Sequence, residues 1–274
     1  MNVDLAKICC RACIYGYDRM VGVAAHPAAL LAIDESFIDT GTSCVLIVEQ
    51  PDRRIVVFPG TQSEWQFLHE PIKTWDSILD WLHNLKFRLV SGTRLGCHGR
   101  LHRGFEEELH DLMPQLVAEL QRRRDTLGAK PIVLTGHSQG GALAAIATAA
   151  LPANGHEVSE TFTFAAPRPG DYGFAESIKA GGVSVWRCEY GNDIVPHLPL
   201  RPDMQLAEIS QNLLDYYAVG QLVYGKPNNN SFIVTDSAGM THEQRRQRLL
   251  ANQDQWLEHH HLDPHYLALL ENLT

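Results

Sequence analysis

Two hydrophobic periods alternate along the chain. Short apolar runs rich in β-branched residues occur at 44–49, 55–58, 131–135, 161–165 and 183–188. Continuous apolarity over so few residues predicts buried strands. Between 105 and 126 the pattern changes. Phe105, Leu109, Leu112, Leu116 and Leu120 fall on one helical face, and Gly128 is placed to end that helix. A second helix is predicted over 139–151, and Cys9, Cys10 and Cys13 lie close together on a third, amphipathic stretch. Strands alternating with helices give an α/β fold with a mainly parallel sheet. The strands near the start are the ones that could pair antiparallel.

The length, 274 residues, suits one large α/β domain, and no repeat or long linker divides it. We therefore expect a single domain over 1–274. An apolar content of 45 % with 20 % charged residues is ordinary for a globular chain. The formal charge of -9 argues against nonspecific contact with nucleic acid or anionic lipid. It leaves room for a neutral lipid surface. The six cysteines show no zinc-type paired spacing, and Cys9, Cys10 and Cys13 are expected to be reduced packing residues, a bridge or a redox role being the alternative. No apolar run is long enough for a transmembrane helix. Met1-Asn2-Val3-Asp4-Leu5 carries no basic stretch followed by an apolar run, which favours the cytoplasm, with secretion by a non-standard route as the alternative.

The richest chemistry is at Gly136-His137-Ser138-Gln139-Gly140. A G-x-S-x-G string arises by chance in roughly one chain in ten of this length, so the string alone decides little. Here a buried strand enters it and a small-residue helix leaves it. That setting forces a tight, strained turn that lifts the Ser138 hydroxyl clear of the sheet. A serine nucleophile needs a base, and the base needs an orienting acid. In such a fold the acid and then the histidine follow the serine along the chain. Asp193 comes directly after the strand at 183–188, at the end of the sheet where these folds place their sites. The late histidines are His242, His259, His260, His261 and His265. Asp263-Pro264 resembles an N-cap and first helical residue. A base should project from the loop before that helix, which favours His261, with His265 next.

Several separated motifs then occur in order. They are Phe58-Pro59-Gly60-Thr61, Asp80-Trp81-Leu82-His83-Asn84-Leu85, His102-Arg103-Gly104-Phe105, the serine turn, Pro167-Arg168-Pro169-Gly170, and Asn192-Asp193-Ile194-Val195-Pro196. Together they resemble the class 3 (fungal-type) lipase family of the α/β-hydrolase superfamily, in its bacterial-like form. The resemblance implies an α/β-hydrolase fold with helices flanking the sheet. It also implies hydrolysis of acylglycerol or similar lipid esters, with Ser138 as nucleophile and Asp193 as acid. The family's H-x-x-x-x-Y spacing is matched by His261 and Tyr266. The oxyanion hole would use the N–H groups of Thr61 and Gln139 and the Thr61 hydroxyl.

The sequence departs from the family at Pro59, where arginine is usual, and at Gln139, where leucine is commoner and whose side chain would alter the pocket mouth. The segment 62–79 occupies the position of the family's lid. Trp65, Leu68, Ile72, Trp75 and Leu79 form a helical stripe that Pro71 interrupts, and a segment that simply covers the core is the alternative to a lid. No cofactor or metal is implied. The expected partner is a lipid or acyl ester, with phospholipase A1, a soluble carboxylesterase or a non-catalytic interaction protein as alternatives.

Overall fold

Side chains along the central strands alternate between two cores, which explains why their sequences are apolar without a break. In β2 (Cys44–Glu49), Val45 and Ile47 face one core while Leu46 and Val48 face the other. In β3 (Arg54–Phe58), Val56 and Phe58 oppose Ile55 and Val57 in the same way. A strand covered on both faces needs no polar alternation. The computed structural model describes residues 1–22, 28–60, 88–199, 215–227, 231–235, 247–248, 251–256 and 258–271.

The described strands form an eight-stranded sheet in the order β1-β2-β3-β6-β7-β8-β9-β10. Here β1 is Asp34–Asp39, β6 Ile132–His137, β7 Val158–Phe164, β8 Ser184–Tyr190, β9 Gln221–Lys226 and β10 Ser231–Thr235. Strands β3, β6, β7, β8 and β9 run parallel, while β1, β2 and β10 add antiparallel edges. A separate pair, β4 (Leu89–Ser91) with β5 (Arg100–His102), sits beside the sheet's helices.

Helix α1 (Val3–Met20) starts at Asn2, whose side chain accepts the Leu5 N–H at 3.1 Å. It covers one face of the sheet together with the C-terminal α5 (Leu267–Glu271). Cys9, Cys10 and Cys13 are buried there, and all six cysteines are unpaired. Burial pushes the Cys13 thiol up to about 12, so it is a packing group rather than a nucleophile. The opposite face carries α2 (Arg103–Leu127), α3 (Gln139–Ala153) and α4 (Tyr172–Ala180). The five apolar residues expected on one face of α2 are all buried. Gly128 ends that helix with φ 82.

The far end of α2 is locked to the sheet by buried ions. Glu49 meets Arg54 at 2.8 Å, Lys130 at 2.8 Å and Arg123 at 3.2 Å. Burial alone would raise the Glu49 pKa, but the bonds from Lys130, Arg54 and Arg123 outweigh it and hold the carboxyl low.

Departures from the sequence reading include one element near each end of the chain. Edge strand β1 reads Asp-Glu-Ser-Phe-Ile-Asp and is half-exposed, so it lacks an apolar run. The last helix begins later than Asp263-Pro264. Asp263 is extended (φ -112, ψ 127), and a π-type turn over Leu262–Tyr266 precedes α5.

Candidate active site

Strand β6 ends at His137 and α3 begins at Gln139, leaving Ser138 alone between them at φ 53 and ψ -129. Few residues with a Cβ adopt that conformation, and here the surroundings hold it in place. The Ser138 N–H donates to the Phe164 carbonyl at 2.9 Å, and its carbonyl accepts from Gly141 N–H at 2.9 Å. The flanking glycines are required by contact. A Cβ on Gly136 would overlap the Gly140 backbone, and one on Gly140 would overlap the Phe58 carbonyl. Without side chains at these positions, the start of α3 can lie against the end of β3.

Asp193 stands three residues beyond β8 and is buried. Its N–H donates to the Tyr190 carbonyl at 3.0 Å, and its Oδ1 accepts from Val195 N–H at 2.9 Å. Tyr266 Oη donates to Oδ2 at 2.8 Å and itself accepts from Tyr190 N–H at 3.1 Å. Burial and then the Asp193 charge push the Tyr266 phenol well up, which keeps it a neutral donor.

The structure places His260 between these two residues. Its Nε2 lies 2.9 Å from Ser138 Oγ, and its Nδ1 lies 3.0 and 3.1 Å from the Asp193 carboxylate oxygens. This corrects the expectation of His261. The reason is local: Glu258–His260 forms a 3-10 turn, in which successive side chains point about 120° apart. His259 therefore faces the acid loop and His260 faces the serine. His261 has already left the turn in extended conformation (φ -69, ψ 134) and is half-buried. The second choice, His265, is stacked on Tyr190 at 4.9 Å between ring centroids. The spacing counted back from Tyr266 falls one position past the histidine that contacts Ser138.

Two further residues, His137 of the serine turn and Tyr17 of α1, shape the site. His137 Nε2 donates to the His260 carbonyl at 2.9 Å, and Tyr17 Oη on α1 donates to His137 Nδ1 at 2.9 Å. Burial holds the His137 pKa well down, so the ring stays neutral and keeps this one tautomer. It braces His260 through that carbonyl.

Gln139 opens α3, where backbone N–H groups lack intrahelical partners. Its side-chain amide donates to the Glu108 carboxylate on α2, which turns it toward that helix. Thr61 and the lid expectation over 62–79 lie outside the described residues. Among those residues no group of three or more His, Cys, Asp or Glu is arranged to hold a metal ion. None of their helices is long and apolar enough to cross a membrane.

The profile of the family described as "Lipase (class 3)" matches residues 71–202. Over that stretch, just under half of the chain, the protein is similar to the class 3 lipase family. It is similar to the secreted mono- and diacylglycerol lipase 1 of Fusarium solani, at 29 % identity over 124 residues. It is also similar to a lipase of Rhizomucor miehei, at 31 % over 132 residues. Each match takes in 45 % of this chain and about a third of the relative, 36 % and 35 % respectively. The solved structure of lipase II from Rhizopus niveus superimposes with a TM-score of 0.70 at 19 % identity, over 94 % of this chain and 92 % of that one. That likeness bears on the fold, which is the α/β-hydrolase fold expected for the family. The cytoplasmic expectation is overturned here, because relatives that this chain matches carry the name of secreted lipases.

The buried histidines give the fold a defined response to acid. Burial lowers His102 to about 4, and it also depresses His137, His156, His259 and His265. In the unfolded chain these rings titrate near ~6.5. Above that pH both states leave them neutral. Below it the unfolded chain takes up protons first, so stability falls with pH. Carboxylates held low by cations, such as Glu119 at about 2 beside Arg122, lose their contribution only below about pH 5. The urea midpoint is expected to decline already between about pH 6.5 and 5.5. A midpoint that stays flat across that interval would show that the rings are not buried neutral.

Proposed function

We propose that this protein is a serine hydrolase that cleaves carboxylic esters of acylglycerols or similar lipids. The observation that carries this reading is the unbroken hydrogen-bonded line from Asp193 through His260 to Ser138. The match to the class 3 lipase profile and the acylglycerol lipases among the relatives support the substrate class.

In this reading Ser138 Oγ attacks the ester carbonyl as its proton passes to His260 Nε2. Asp193 stabilises the imidazolium and fixes its orientation. The developing oxyanion accepts from the Gln139 N–H and from Thr61, and one such donor is worth about 2.7–4 kcal/mol in a measured case. The carbon–oxygen bond to the alcohol then breaks, and the alcohol leaves with the proton from His260. Water, deprotonated by the same ring, splits the acyl-enzyme and releases the carboxylic acid.

A fluorophosphonate probe tests the reading directly. Wild type is expected to label at Ser138, with Ser138→Ala as the unlabelled control. A folded wild-type protein that takes no label would sink the proposal. Turnover of p-nitrophenyl esters of rising chain length, an emulsified triglyceride and a phospholipid then separates a lipase from a phospholipase or a soluble esterase.

A further inference from the structure

The loop 191–193 is fastened one backbone group at a time. The Gly191 N–H donates to the Gly225 carbonyl at 3.0 Å, and the Gly191 carbonyl accepts from Tyr224 Oη at 2.8 Å, both on β9. The Asp193 N–H goes to Tyr190 on β8. The N–H of Asn192, the residue before the acid, goes to the histidine segment instead. It donates to His259 Nδ1 at 2.8 Å. His259 is buried and directly precedes His260. One imidazole thus joins the residue before the acid to the residue before the base.

We propose that His259 is a positioning residue: as a neutral acceptor for the Asn192 N–H it keeps Asp193 in line with His260, and its protonation releases the acid loop. This rests on the triad reading above. Only an unprotonated ring nitrogen can accept an N–H, so the bond requires neutral His259 with its proton on Nε2. Loop and ring are in close contact. Gly191 sits at φ 53, and a Cβ there would overlap the His259 imidazole. The ring stands edge-on to Tyr190 at 5.1 Å and to His265 at 5.3 Å.

The titratable and charged groups around it are His265 and Glu258 of its own segment, Arg248, Asp193 of the acid loop and Tyr190 of β8. Burial, then His265, depress its pKa, and Arg248 acts the same way. Glu258 and Asp193 oppose them without reversing the direction. The ring is therefore neutral at neutral pH and charges only in acid. At that point the Asn192 N–H would face another N–H.

The test uses the full chain and the pH dependence of kcat on p-nitrophenyl butyrate. His259→Phe keeps a ring and removes the acceptor. It is expected to lower kcat about tenfold or more, with KM within about twofold, as for the loss of a buried hydrogen bond felt in the transition state. His259→Asn supplies an amide oxygen near the place of Nδ1 and cannot titrate. It is expected to recover most of the rate, and its acid limb should be shallower than wild type by one proton. A folded His259→Phe with wild-type kcat, or a His259→Asn acid limb as steep as wild type, overturns the inference. If His259→Phe does not fold, the Asn profile decides alone. A wild type that neither turns over esters nor labels with fluorophosphonate overturns the hydrolase reading, and this inference with it.

Discussion

His260→Ala is expected to lower kcat by roughly 10⁵–10⁶-fold, and His261→Ala to leave it within about threefold. The two rings are neighbours in sequence, yet only His260 holds Nε2 at 2.9 Å from Ser138 Oγ with Nδ1 on Asp193. Without His260 the serine has no acceptor for its proton, and the leaving alcohol has no donor. Ser138→Ala should lose about as much. The double variant should be no worse than either single one, because the residues of a triad act as a unit and their losses do not add. KM should hardly move in any of these, since neither side chain supplies ground-state binding. The residual rate would come from the oxyanion donors and from substrate positioning. Initial rates on p-nitrophenyl butyrate measure all four variants. A large loss in His261→Ala, with His260→Ala near wild type, would return the base to the position first expected from the sequence.

The reason for that one-residue difference is physical. Ser138 and Asp193 were legible because each is tied to a strand end. A buried run, a glycine-flanked turn and an apolar helix fix Ser138 almost by themselves. Asp193 follows β8 by three residues, and the parallel sheet brings β6 and β8 to the same end with one strand, β7, between them. His260 has no such anchor. It projects from a short 3-10 turn, where shifting the register by one residue changes which ring faces inward. Sequence spacing to Tyr266 cannot fix that rotation; the packing of His259 against Gly191 and the His137 bond to the His260 carbonyl do. Strand β9 escaped notice for another reason. Gly225 interrupts its apolar run because Leu269 of α5 and Tyr190 of β8 occupy the space a side chain would need. Tyr17 and His137 were invisible as a pair because they are 120 residues apart in the chain and meet only once α1 packs on β6.

Asp193→Asn is expected to lower kcat by roughly 10⁴-fold while leaving the fold intact. The substitution preserves shape and removes one acceptor from a site built entirely of donors. Asp193 receives the Val195 N–H on Oδ1, the Tyr266 hydroxyl on Oδ2 and the His260 Nδ1–H across both. An asparagine that keeps its oxygen toward Val195 turns its NH₂ toward Tyr266 and His260. The Tyr266 hydroxyl can rotate to accept, but His260 must then present an unprotonated Nδ1. Its proton moves to Nε2, and the ring faces Ser138 as a donor rather than an acceptor. The base is thus disabled by its tautomer, with every ring still in place. Tyr266→Phe tests the other half of this arrangement. It leaves the carboxylate and the tautomer intact and removes one hydrogen bond to a charged group, so a loss of roughly tenfold is expected. The two variants are compared by kcat on the same ester and by the rate of fluorophosphonate labelling, which needs the base but no leaving alcohol. Labelling should slow in parallel with kcat in both. If Asp193→Asn kept a rate within tenfold of wild type, the carboxylate would be holding the loop rather than setting the tautomer of His260.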